Sequence, residues 1–172
     1  MRYVTLLAFL VISLSSVAQS KTTESLHKQY DDALALFFYN NTLRMINQGG
    51  DKEFDDLIRD VEKMKFLMID KNAKNFGTAE YKKLVGNYKS EAFEEIMTSR
   101  HQGKNFDVYI KEKNGKTSGM IVAVNDSTNL YVLDIVGSIA LNKVTKFFTE
   151  LDESSEIGKR IKGFTTKEKD QE

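Results

Sequence analysis

The chain has 172 residues, the size of one domain with short appendages. Hydrophobic residues make up 41% and charged residues 29%, which permits a core and excludes wholesale disorder. The 25 basic and 25 acidic side chains cancel, which argues against a protein that coats nucleic acid.

Met1-Arg2 supplies a short positive start, and Val4 to Leu14 (VTLLAFLVISL) is an almost unbroken apolar run. Small residues at Ser16 and Ala18 complete the three-part order of a secretory signal peptide over 1–18, cut after Ala18. Such a run is too short for a hydrocarbon core, which takes ~20 apolar residues, so a membrane anchor is not expected. The expectation is an exported protein, periplasmic or extracellular. With no Cys to carry a lipid it is not expected to be a lipoprotein. The same absence removes disulfides, thiol catalysis, Cys-ligated metals and c-type haem. Removal of 1–18 takes away Arg2 and no acid, leaving a net charge of −1. That gives little steering toward anionic surfaces.

Residues 19–151 read as a single domain. Lys21 to Ala33 opens as a helix, with Thr22 or Thr23 as cap and Leu26, Tyr30 and Ala33 on one stripe. Leu34 to Tyr39 fits a strand or a helix, because short apolar runs are not settled by period. Thr42 to Gln48 suggests a short helix closed by Gly49-Gly50. Asp51 caps a helix with Phe54, Leu57, Ile58 and Val61 at helical spacing. Met64 to Ile69 is a strand-length apolar run placed inside a sheet. Asp70 to Gly77 reads as a loop. Thr78 caps a helix carrying Tyr81, Leu84, Val85 and Tyr88.

From residue 92 the period becomes two. Four strands of an antiparallel meander are expected over 93–100, 105–113, 116–125 and 129–137. Asn114-Gly115 is the hairpin signal, since a type I′ turn needs positive φ at both positions. Ser138 is expected to cap a closing helix with Leu141, Val144, Phe148 and Leu151, and 152–172 to form a tail. The fold class is therefore α+β, a meander of about four strands with one or two earlier strands and helices mainly on one face.

Turn type fixes register. Two-residue loops at 114–115 and 126–127 pair Tyr109 with Met120, and Met120 with Leu133. One face then carries Phe106, Val108, Ile110, Ile121, Ala123, Leu130 and Val132. The other carries Tyr109, Met120, Val122, Tyr131, Leu133 and Ile135. Both are apolar, where a half-exposed antiparallel sheet shows polar residues on one side. Cover by helices and the early segment is one explanation. The other makes Tyr109, Met120, Val122, Tyr131 and Leu133 a candidate interaction face, because Tyr and Met favour interfaces.

Phosphate-binding loops, a GxSxG elbow and HExxH are all missing, and the two histidines, His27 and His101, stand far apart. No catalytic, metal or cofactor residue is nominated. Asp134 interrupts an apolar strand, opposite Gly119 in this register, and is the one carboxylate of interest.

The order FDDLIRDVEKMKFLMID, YKKLV, FEEIMTSRHQGKNFDVYIKEKNGKTSGMIVAVND and YVLDIVG, spanning Phe54 to Leu151, resembles a family of small exported proteins found chiefly in Bacteroidetes. The family is known as domain of unknown function 4252. The resemblance implies export, an α+β domain, a strand at Leu34 to Tyr39, an envelope-sensing partner and no established activity. The expected function is a non-enzymatic cell-envelope binding module, acting through an envelope protein or a small apolar ligand. The alternatives are a carboxylate-dependent hydrolase using groups such as Asp134, and a structural envelope protein.

Overall fold

The structure is a computed structural model and describes residues 19–47, 50–101 and 103–140. The expected signal peptide, the closing helix with Leu141, Val144, Phe148 and Leu151, and the 152–172 tail lie outside the described residues.

Helix α1 (Lys21–Gln29) leads into strand β1 (Leu34–Tyr39), α2 (Asn40–Ile46) and α3 (Lys52–Ile58). Strand β2 (Val61–Asp70) is followed by α4 (Lys71–Lys74) and α5 (Thr78–Ser90). Strands β3 (Glu94–His101), β4 (Lys104–Lys113), β5 (Lys116–Asn125) and β6 (Asn129–Gly137) complete the sheet. All six strands form one antiparallel sheet in the order β1-β2-β6-β5-β4-β3. The chain is thus α+β, and the meander β3–β6 gains β2 and then β1 along its β6 edge.

Local chemistry sets the boundaries. Ser20, not Thr22 or Thr23, caps α1, its Oγ accepting from the N–H groups of Thr22 and Thr23. Asp51 caps α3 as the spacing suggested, but Val61 already belongs to β2. Asp70 caps a short helix, α4, where a loop was expected, and Asn75 closes it with a φ of 52°. Helix α5 starts one residue earlier than expected, with Gly77 as cap and the Glu80 side chain accepting the Gly77 N–H.

The turn at Asn114 (φ 54°) and Gly115 (φ 70°) is the expected type I′ geometry. Lys113 faces Lys116 and Glu112 faces Thr117, but Lys111 then faces Gly119. Ser118 is therefore bulged out, and every pair beyond it moves by one. Tyr109 pairs with Ile121 and Val108 with Val122, so β4 presents opposite faces from those expected. The β5–β6 register differs by two: Val122 pairs with Leu133, and Asp134 lies opposite Ile121 rather than Gly119. An even shift leaves the faces of β5 and β6 as expected.

Helices cover both faces rather than mainly one. On the first face Leu26, Tyr30, Phe76, Leu84 and Tyr88 from the α1–α4–α5 layer pack on Leu67, Ile69, Tyr109, Ile121, Leu130 and Val132. On the second, Leu43, Phe54, Leu57 and Ile58 from α2 and α3 pack on Met64, Val108, Met120, Val122, Leu133 and Ile135. A sheet apolar on both sides needs cover on both.

Candidate functional site

The bulge redistributes the nominated interaction residues. Met120, Val122, Tyr131 and Leu133 share the α2–α3 face, whereas Tyr109 lies on the α1–α5 face against Tyr88. Tyr109, Met120, Val122 and Leu133 are buried core, and Tyr131 is half-exposed. The short helices α2 and α3 cover one end of their face. Toward the other end Leu36, Phe66, Met68 and Tyr131 are only half-buried and Leu34 is exposed, with the Phe66 and Tyr131 rings 6.2 Å apart. An open apolar strip therefore runs across β1, β2 and β6.

That strip ends on the more informative feature, the β1 edge. Strand β1 reads LALFFY, without a charge, a Pro or a Gly. Leu34, Phe37 and Tyr39 are exposed, Phe37 at 48% and Tyr39 at 60%. Met45 follows, exposed on α2. Among the described residues β1 ladders with β2 alone, so its other side is a sheet edge. An edge strand points alternate N–H and C=O groups outward, and natural proteins usually blunt such edges with charge or a bulge. The opposite edge, β3, has both: Glu94, Glu95 and Arg100, and a register break between Glu95 and Met97.

Beneath β1 lies a buried polar cluster that sequence reasoning did not find. Lys65 on β2 pairs with Phe37 on one side and Asp134 on the other. Its ammonium, fully buried, donates to Glu24 Oε1 of α1 at 2.8 Å and sits 4.7 Å from the Phe37 ring centre. His27 of α1 packs on the same Phe37 ring. Asp134, 1% exposed, accepts the Ser20 N–H at 3.0 Å. Glu91, at the end of α5, accepts from Ser20 Oγ, from the N–H groups of Lys21 and Thr22, and from the Thr22 hydroxyl. The Thr23 hydroxyl meets Tyr88 Oη at 2.9 Å. The start of α1 is thus tied to sheet and α5 by two carboxylates. Only Asp134, as an acid in an apolar strand, left a signal in the sequence; its partners lie up to 114 residues away.

The two carboxylates titrate in opposite directions. Burial pushes Asp134 up to about 6, helped by the nearby Glu91 charge, against the pull of the Thr23 hydroxyl, the Ser20 N–H and Lys65. Burial also raises Glu91, but its hydrogen bonds from Thr22, Lys21 and Ser20 outweigh this and hold it below the usual range. A second buried acid, Asp107, accepts from Thr98, Tyr81 and Arg100. Burial raises it, and those three partners together bring it below the ordinary carboxylate range. Neither Asp107 nor Asp134 lines the cleft of about 940 Å³ around Arg44, Arg59, Asp60, Glu62, Lys116 and Ser138. Among the described residues no group of three or more His, Asp or Glu side chains could hold a metal ion, and no helix is long and apolar enough to cross a membrane.

The Lys65 pair yields a test of this cluster. Glu24→Ala leaves a buried ammonium without its hydrogen-bonded anion and is expected to cost about 1–2 kcal/mol in urea unfolding. Lys65→Met removes the buried charge itself and should cost less, since Glu24 is partly exposed and its carboxylate can turn to water. The reverse order would show that the ion pair, rather than the desolvated ammonium, governs this site.

No curated protein and no solved structure matches the chain. The family model described as a domain of unknown function (DUF4252) matches residues 27–147, from within α1 through all six strands. With most of its length and its whole sheet inside that match, the chain belongs to the DUF4252 family.

Proposed function

We propose that the chain is an exported, non-enzymatic interaction module of the cell envelope, docking a partner strand along β1. The observation that carries this reading is the contrast between the two sheet edges. One is charged and bulged; the other is uncharged, regular and rich in exposed aromatic side chains. Strand addition at such an edge takes affinity from backbone hydrogen bonds and selectivity from alternate side chains. The half-open strip of Leu36, Phe66, Met68 and Tyr131 extends the surface beside it. Export is supported by the leader pattern of residues 1–18, which ends two residues before the Ser20 cap.

A photo-reactive amino acid placed at Tyr39, and separately at Ile96 on the β3 edge, tests the reading in living cells. Both side chains are exposed. The expected result is a reproducible crosslinked species from position 39 in the exported fraction and none from position 96. Equal capture at both positions, or none at 39, would contradict it.

A further inference from the structure

We infer that β1 pairs antiparallel with β1 of a second copy of this chain, joining two six-stranded sheets into one about a two-fold axis. The inference rests on the reading of β1 as the docking edge and names its occupant. Two antiparallel strands related by a two-fold axis place that axis perpendicular to the sheet, so like faces continue into like faces. Residues directly opposite each other then have numbers with an even sum, and a central residue faces its own copy. For residues 34–39 the axis passes through Leu36 or Phe37. With Phe37 on the axis, Leu36 faces Phe38 of the second copy and Ala35 faces its Tyr39. Every pair is apolar, and no like charges oppose each other, which a self-paired strand requires.

Charge at the two ends of β1 selects the antiparallel arrangement. Asp31 and Asp32 precede the strand, and Arg44 on α2 follows it. Asp32 is bonded to Lys74, whereas Asp31 and Arg44 are exposed and form no ion pair among the described residues. Antiparallel pairing carries the acidic head of each strand toward the basic tail of the other, twice by symmetry. The pairing adds ~six backbone hydrogen bonds and covers the exposed Leu34, Phe37 and Tyr39.

The test is sedimentation equilibrium of the processed protein. The wild type is expected to show a concentration-dependent species of twice the monomer mass. Tyr39→Lys should weaken its dimerisation at least about tenfold without altering the thermal melt of the monomer, and Ile96→Lys should leave it unchanged. Asp31→Arg and Arg44→Asp should each weaken the dimer, and the two together should restore it. Because the chain has no Cys, Leu36→Cys and Phe37→Cys introduce single thiols, and the one on the axis should give a disulfide-linked dimer on oxidation. A wild type that stays monomeric at about 100 µM, or a Tyr39→Lys variant that dimerises normally, overturns the inference. If the wild type is monomeric while position 39 still crosslinks to another protein in cells, self-pairing fails and the docking edge stands. If position 39 captures nothing either, both fail.

Discussion

Gly137→Ala is expected to destabilise the protein by about 3 kcal/mol or more, a drop of roughly 10 °C in melting temperature. Gly137 ends β6 with a φ of +105°, a conformation that L side chains rarely adopt. A Cβ there would stand 2.0 Å from the Asp60 carbonyl oxygen and 3.1 Å from its carbon. Backbone atoms cannot rotate aside as a side-chain tip can. The same carbonyl accepts the Ser138 N–H at 3.0 Å, and Val61 pairs with Gly137 beside the irregularity at the start of β2. A shift of Asp60 would therefore loosen the α3–β2 corner, whose Ile58 and Val61 belong to the core of the α2–α3 face. Gly86, inside α5 with nothing within 4 Å of its would-be Cβ, provides the opposite case. Gly86→Ala should stabilise by about 0.5–1 kcal/mol through helix propensity. Chemical denaturation of both variants checks the pair, and a Gly137→Ala loss below about 1 kcal/mol would show that the corner relaxes freely.

Asp134→Asn is expected to abolish a pH-dependent stability change of about 3 kcal/mol. The folded protein raises the Asp134 carboxyl from 3.8 to about 6, with burial as the leading cause. A raised folded pKa means that the protonated side chain is favoured by folding. Its contribution is fully present below the unfolded value near 4 and is lost as pH rises toward 6 and beyond. Asn keeps an oxygen to accept the Ser20 N–H and never ionises. Relative to wild type, the variant should gain stability between pH 4 and pH 7 and be level with it thereafter in slope. Glu91 does not imitate this profile: its lowered pKa contributes stability at neutral pH that is lost as pH falls below the usual Glu range. Urea midpoints from pH 4 to pH 8 provide the measurement. A variant that loses more stability at pH 8 than at pH 4 would show that the ionised carboxylate is a favourable partner of Lys65.

The strands were legible because their signals are local. The bounds of β5 and β6 follow from alternation and from Asn114-Gly115, whereas the apolar run of β1 fits strand and helix alike and only the family resemblance implied a strand there. What local signals do not carry is the bulge at Ser118, which turned Tyr109 away from its four nominated companions. Gly119, next to it, was the available cue, since a glycine inside a strand often marks a bulge. Helix α4 was missed although Asp70 is a good cap residue, because only four residues follow before Asn75 takes a left-handed conformation. The buried cluster of Ser20, Glu24, Lys65, Glu91 and Asp134 was illegible for another reason. Apart from Asp134, no member stands out in its own segment, and only the packing of α1 and α5 over β2 and β6 brings them together.

The cluster and the edge belong to one construction. Glu24 and His27 of α1 hold Lys65 and Phe37 in place, and Phe37 stands in the middle of β1. The edge is therefore presented from a supported frame, a requirement for strand addition with low ordering cost.

Hydrogen exchange of the Leu34–Tyr39 amides, measured at low and high protein concentration, tests the central claim most directly. The outward-pointing β1 amides are expected to exchange fast in dilute protein and to become protected as concentration rises, while the amides of β5 and β6 stay protected throughout. Protection of every β1 amide that is the same at all concentrations would contradict an open docking edge.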